Sequence, residues 1–439
     1  MKKIYCIIAG LFILLPAWAQ TDSLKLSLEG AIDLALKNRN EIKIQQINAQ
    51  VSGNEIRKVN SRQLPQVTSD LDVRYNSRLQ TNVLPAHVFN NAEPEHIKFG
   101  TPYNTLWGFN LTLPVFNPND LGDKEIARTQ WLYDLLNVQK TEIDIRQQVT
   151  ESYFGVLLWR ERVSLSETNL IRTKAIYEMA QSQYKQGSIT SYDLQRNRID
   201  YENAISENTK NNSSLQLALR DLSYNTGEDD TRPIFCSEDL NKLYGQYSDL
   251  PTEDQPINRI ELSMETVTAD IRRMNVKKQN LLYIPTLSVY GNYTLQYLNN
   301  SFAPFNSANL YPFNYLGLRA SIPIFDGFLK QRTRYGYELQ YRSTQLNIEK
   351  LRRDYNQEML NAVTSLRNAQ SDFENQKRNL ELAEQLYTLD SDRFKNGTIR
   401  QNDLSTTYYT LQQTQTNYVN AIYTYLVAMV AYKKAIGGL

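Results

Sequence analysis

The chain carries the same plan twice, and that duplication limits its possible folds more than any other feature. Tyr184-Lys185-Gln186-Gly187-Ser188-Ile189, with Asp193-Leu194 just after it, returns 210 positions later as Phe394-Lys395-Asn396-Gly397-Thr398-Ile399 and Asp403-Leu404. Leu113-Pro114-Val115-Phe116 returns as Ile322-Pro323-Ile324-Phe325 at an offset of 209, and Gln63-Leu64-Pro65 as Tyr283-Ile284-Pro285 at 220. Three landmarks in one order describe two structural repeats. A first repeat occupies residues 20–225 and a second 257–439. The stretch 226–256, with Pro233, Pro251 and Pro256, joins them.

Each repeat contains two runs of alternating polarity. Val67, Leu71, Val73 and Tyr75 alternate with Thr68, Asp70, Asp72 and Arg74; Trp107, Phe109, Leu111 and Leu113 alternate with Gly108, Asn110 and Thr112. In the second repeat Leu287, Val289, Tyr293, Leu295 and Tyr297 oppose Ser288, Asn292, Thr294 and Gln296, and Leu316, Leu318, Ala320 and Ile322 oppose Tyr315, Gly317, Arg319 and Ser321. Period two over about 9–11 residues suits a tilted strand crossing a bilayer, and equally a soluble sheet with one buried face. The rest of each repeat has helical spacing. Tyr355, Met359, Ala362, Leu366, Ala369, Phe373, Leu380 and Ala383 recur in 3-4 steps, and Leu404, Thr407, Leu411, Thr414, Tyr418, Ala421, Tyr425, Ala428, Tyr432 and Ala435 resume after Gly397. Leu194, Asn197, Tyr201, Ala204, Asn208, Asn211, Leu215, Ala218 and Leu222 do the same in the first repeat. A seam sustained this long predicts coiled coils with small and polar contacts. The helix before each glycine would reach about 100 Å at 1.5 Å per residue.

Residues 1–19 read as an export signal: Lys2-Lys3, an apolar run from Ile4 to Leu15, and Ala17-Trp18-Ala19 as the cleavage site. Cys6 leaves with it, so Cys236 has no partner for an internal disulfide. No later stretch is apolar for long enough to make a transmembrane helix. Lysine and arginine number 48 against 47 acidic residues, a balance that argues against nucleic acid as a partner. Two histidines leave little for a metal centre. His87, Glu93, Glu95 and His96 cluster in the loop from Asn76 to Asn104, but Pro94 and the lack of a helical i, i+4 pair favour an exposed polar loop. No Walker loop, dinucleotide fingerprint, HExxH, nucleophile elbow or paired CxxC occurs, so no enzyme and no cofactor are expected.

Four strands with open edges cannot stand alone in lipid, so closure needs several chains. Two chains would give an eight-stranded barrel filled by its own side chains. Three would give twelve strands around a lumen lined by Asp70, Asp72, Arg74, Asn292 and Gln296. The twelve-stranded arrangement points to a conduit.

On these residues the chain resembles the TolC-like outer-membrane efflux protein family over essentially its whole mature length. The similarity lies in the opening stretch Leu26–Asn38, the two Pro-x-Phe strand ends, Phe325-Asp326-Gly327 and the Tyr/Phe-Lys-x-Gly turns. The resemblance implies a mixed α and β fold: a homotrimer with a twelve-stranded transmembrane β-barrel, four strands per chain, in the outer membrane, continued by a long periplasmic α-helical coiled-coil barrel. It also implies an equatorial domain built from the join and the chain ends. The function implied is the exit duct of a tripartite efflux or type I secretion system. Its partners would be a periplasmic adaptor, an inner-membrane pump or ABC exporter, and outer-membrane lipid. A stand-alone passive channel and a soluble periplasmic scaffold are the alternatives; long coiled coils oppose the first and membrane-length strands the second.

The resemblance also assigns sites. Asp193 and Asp403 fall where the family's gate acids occur, and in a trimer three like charges would raise their pKa values. Each also lies in the first turn of a helix, where an acid is favourable without any gate. Phe394 stands where the family has a gating tyrosine, Ile399 where it has an arginine and Thr406 where it has a second acid, with Arg400 one position along as a substitute. Lys185, Gly187, Ser188, Lys395, Gly397 and Thr398 are the adaptor contacts it implies, against the plainer reading of structural turns. Asp326-Gly327 is expected to be a strand-to-helix turn.

Overall fold

A computed structural model describes residues 24–85, 93–228, 234–246 and 257–439. The export signal, His87, Pro233, Pro251 and Pro256 lie outside the described residues. The chain is mostly helical with a smaller share of strand, and its contacts divide it into two compact units. One comprises residues 44–139 and 260–353, the other 1–43, 140–259 and 354–439. Each unit therefore draws on both halves of the sequence.

The first unit holds a four-stranded antiparallel sheet. The strands β2 (Gln66–Tyr75), β5 (Tyr103–Phe116), β7 (Thr286–Asn299) and β8 (Leu310–Ser321) lie in that order. Register keeps the alternation coherent: Leu71 faces Trp107 and Trp107 faces Leu295, while Asp70 faces Gly108 and Gly108 faces Thr294. A one-residue slip would mix the two faces on every strand. The apolar face, with Val67, Leu71, Leu316 and Leu318, is exposed. Among the described residues no strand pairs with the outer edge of β2 or of β8.

The helices α2 (Asn40–Ser61) and α6 (Ile260–Leu281) lead into the sheet, and α3 (Pro118–Lys185) and α7 (Leu329–Lys395) lead out. Asp123 on α3 takes Lys278 of α6 at 2.5 Å and Arg62, just past α2, at 2.9 Å. Asp326 accepts the Lys330 amide at 3.1 Å, so the Asp326-Gly327 turn starts α7 as the sequence suggested. One feature departs from the sequence reading. Part of the long loop folds as a hairpin, β3 (Thr81–Leu84) with β4 (Glu95–Lys98), in which His96 faces Val83. Four-residue strands are too short for alternation to announce them.

In the second unit α4 (Ser191–Thr226) and α8 (Gln401–Ile436) complete the helices. The seams read from the sequence are where burial falls: Met359, Leu366, Ala369, Phe373 and Ala383 on α7, and Ala204, Asn211, Ala218 and Leu222 on α4, are all buried. Ile145, Tyr153, Phe154 and Leu157 of α3, Leu366 of α7 and Ile422, Tyr425 and Leu426 of α8 are among the largest side chains that are essentially solvent-free. A parallel pair, β1 (Leu24–Leu26) with β6 (Ile234–Cys236), joins the start of the described chain to the inter-repeat stretch. The opening stretch thus begins as strand and turns helical only at α1 (Leu28–Asn38), where the Ser27 hydroxyl accepts from Gly30 N–H. Arg160 of α3 pins β6 with bonds to the Cys236 and Glu238 carbonyls at 2.7 and 2.6 Å. The short helix α5 (Leu240–Gln246) is held by Tyr244, whose ring centre lies 4.1 Å from Phe373 and 5.0 Å from Tyr425.

Candidate functional site

The two helix tips are built alike because the same residue types recur at the same offsets. Gly187 has φ +72° and Gly397 φ +70°, a left-handed conformation that side chains resist. At the first tip Gly187 N–H bonds Tyr184 O at 3.0 Å and Ser188 N–H bonds Gln183 O at 2.9 Å. At the second, Gly397 N–H bonds Phe394 O and Thr398 N–H bonds Arg393 O, both at 2.9 Å. This bond pair ends a helix while satisfying its last carbonyls. Lys185, Gly187, Ser188, Lys395, Gly397 and Thr398 are all exposed, with side chains and turn backbone open to solvent.

The next helices start differently. Thr190 accepts from Asp193 N–H at 3.2 Å, and the Asp193 carboxylate accepts from Thr190 N–H at 3.2 Å and from its hydroxyl at 2.7 Å. That reciprocal box satisfies two orphan donors. The Thr190 hydroxyl, then its amide, hold the Asp193 carboxyl below its ordinary pKa within the single chain. At the second tip Arg400 stands in the cap position and has no acceptor to offer. Only the backward half survives, Arg400 N–H to Asp403 at 3.2 Å, while Asp403 N–H turns to the Arg400 carbonyl at 3.1 Å. Arg400 and Asp403 are exposed, and Phe394 is half-buried on the last turn of α7.

Above the tips lie contacts that the sequence did not disclose. Thr407 of α8, buried, donates to Asp390 of α7 at 2.6 Å, and Tyr387 meets Tyr408 edge-on at 5.5 Å. Tyr177, the counterpart of Tyr387 at the 210-residue offset, stacks on Tyr201 of α4 at 5.7 Å. The offset alone could have flagged that pair. Arg172 of α3 connects the first-repeat helices to those of the second. Its guanidinium carbon lies 3.1 Å from the Tyr408 ring centre and 5.8 Å from that of Tyr409. Burial lowers the Arg172 pKa, and its Nε has no hydrogen-bond partner. Burial, then Asp200, push Tyr409 up to about 12. This contact sits about 20 Å along α3 from Lys185, at 1.5 Å per residue.

The sheet forms a second candidate surface. Across its polar face Thr294 donates to Asn292 at 2.7 Å, Asn292 to Asn110 at 2.8 Å and Asn110 to Asp70 at 2.7 Å, a chain spanning three strands. Asp72 and Arg74 pair beside it. Among the described residues no three histidine, cysteine or acidic groups gather as a metal site. No helix among them is long and apolar enough to cross a membrane.

Comparison with known proteins gives these surfaces a setting. No curated protein sequence matches the chain. Among solved structures it is similar to CusC, described in terms of transmembrane channel formation, with 16% identity and a TM-score of 0.76 over 95% of this chain and 93% of that one. It is similar to the CmeC outer membrane channel of Campylobacter jejuni, with 15% identity and a TM-score of 0.73 over 94% and 85%. The outer membrane protein VceC of Vibrio cholerae shares 14% identity and a TM-score of 0.69 over 94% and 96%. At such identities the likeness speaks to the fold. The model of the outer membrane efflux protein family matches residues 31–228 and 257–438, most of both repeats. The chain belongs to the outer membrane efflux protein family.

Proposed function

We propose that the chain is one subunit of a homotrimeric exit channel in the outer membrane, receiving substrates from an inner-membrane pump or ABC exporter through a periplasmic adaptor. The observation that carries this reading is the four-stranded sheet, whose two edges have no strand partner among the described residues and whose apolar face is exposed. Such a sheet is unstable in lipid until copies join edge to edge. Three copies make twelve strands, enough for a water-filled lumen on the polar face. Family membership supports the compartment and the transport role. The sequence contains no recognised motif for nucleotide hydrolysis, and if transport consumes energy a partner supplies it.

In this reading the tips are the docking and gating end. Lys185, Gly187, Ser188, Lys395, Gly397 and Thr398 offer exposed backbone and side chains to the adaptor. Asp193 and Asp403 form rings around the axis, with Arg400 and Phe394 bordering them. Arg172 against Tyr408 is a further tie that opening would have to loosen. Photo-crosslinkers at Ser188 and Thr398 in intact cells test the proposal, with captured proteins identified by mass spectrometry. Capture of an adaptor is expected at both positions. Folded trimers that capture nothing at either tip would replace the duct with a self-contained channel.

A further inference from the structure

On the polar face of the sheet, β8 carries an aromatic side chain at three successive positions: Tyr311, Phe313 and Tyr315, with 53%, 44% and 52% of their surfaces exposed. Residues two apart on a strand point the same way, about 7 Å from each other. Each ring stands directly opposite a hydrogen-bonding residue of β7: Tyr311 opposite Gln296, Phe313 opposite Thr294, Tyr315 opposite Asn292. Three rungs result, each setting an exposed ring beside a neutral polar residue; in the middle one Thr294 is buried, and its hydroxyl donates to Asn292.

The row continues beyond Tyr315 by an indirect route. The next position on that face is Gly317, and Tyr290 of β7 lies across it: a Cβ there would come within 2.9 Å of the Tyr290 ring. Tyr290 sits 5.9 Å from Tyr315, and the guanidinium of Arg319 lies over its ring, 4.5 Å from the centre. Packing does not require aromatics on an exposed polar face, where they leave apolar surface in water. Nor would lipid contact explain them, because the lipid-compatible side chains occupy the opposite face.

We propose that this row is a binding track for neutral polyhydroxylated rings, that is, carbohydrate, moving along the lumen; the proposal rests on the reading that the polar face lines a pore. The chemistry of the rungs selects this class. A sugar ring has an apolar C–H face that can lie on an aromatic ring and an equatorial rim of hydroxyls that needs donors and acceptors. Asn292 and Gln296 supply those, and the Thr294 and Asn110 bonds hold the Asn292 amide in one orientation. The residues of the three rungs bear no charge; the charged groups of this face, Arg319 and Asp70, stand beyond them. Rings repeated along one strand let a ligand step forward without a deep trap, as conduction requires.

The test uses the full protein in detergent for calorimetry and in planar bilayers for conductance. The probe is a neutral glucose hexasaccharide, with a polyethylene glycol of similar size as control. The hexasaccharide should bind saturably and interrupt the current, and the glycol should not. Combined Tyr311→Ala, Phe313→Ala and Tyr315→Ala should weaken binding about tenfold or more. Gly317→Ala, which keeps every β8 aromatic but displaces Tyr290, should weaken it several-fold with an unchanged melting temperature. Wild-type protein that forms pores but ignores the sugar overturns the track, as does equal binding by the triple variant. A planar aromatic cation such as ethidium binding in place of the sugar overturns the ligand class. Sugar binding in detergent without any pore in bilayers would keep the ring-binding surface and remove the duct reading instead.

Discussion

Thr190 and Arg400 occupy equivalent positions in the two repeats, yet only threonine can close the box around the following acid. Thr190→Ala should therefore cost about 1 kcal/mol at the start of α4. Arg400→Thr should gain about 0.5–1 kcal/mol at the start of α8 by supplying the missing acceptor. Amide exchange of the first-turn residues reads both changes locally. A slower exchange at Asp403 in Arg400→Thr is the expected sign. Arg172 poses a different single-residue question, since its guanidinium lies over the Tyr408 ring, its carbon 3.1 Å from the ring centre. A double-mutant cycle between Arg172→Ala and Tyr408→Leu should give a coupling of about 1–2 kcal/mol. Arg172→Lys should recover only part of it, because an ammonium keeps the charge but not the planar stacking.

Between helices, Asp144 illustrates how elements are held together. It lies on α3, where burial is the largest influence and raises its pKa. Lys140 at 2.7 Å and Lys434 of α8 at 3.1 Å outweigh that and hold the carboxyl below its ordinary value. A depressed folded value means stabilisation above the unfolded pKa, about 3.9 for aspartate, that fades as pH falls through the folded value. Asp144→Asn should thus melt below wild type at neutral pH, and the difference should shrink toward pH about 3. A constant difference across that range would exclude the ion pairs as its source. Element identity was largely legible beforehand. The α4 seam from Leu194 to Leu222 and the α7 seam from Tyr355 to Ala383 follow from 3-4 spacing, which any helix must bury on one side. The pairing of β1 with β6 was not legible. Three residues on each strand carry no periodic signal, and more than 200 residues separate them.

For the molecule as a whole, the decisive feature is a sheet whose outer edges, on β2 and β8, have no strand partner among the described residues. Native mass spectrometry of the detergent-extracted protein should find trimers, with neither monomers nor dimers persisting on dilution. A stable monomer would leave the edges of β2 and β8 without a partner and would undo the barrel. The tip glycines, by contrast, answer to the backbone of one chain. Among the described residues nothing lies within 4 Å of a Cβ added at Gly187 or Gly397, so within the chain it is the positive φ that calls for glycine.

What the sequence determined by itself were the properties that act within a segment or repeat between segments. These were the period of each strand and helix, the glycine that ends each long helix, the acid that opens the next, and the duplication at 210 residues. Each follows from local sterics and from which side of one element must be buried, and a linear pattern records both. Tertiary structure alone decided which rows meet. It set Tyr311, Phe313 and Tyr315 beside Gln296, Thr294 and Asn292, drew Tyr290 across Gly317, and laid Arg172 of the first repeat on Tyr408 of the second. Register and helix docking are settled by burial summed over whole faces, and no single segment contains that sum.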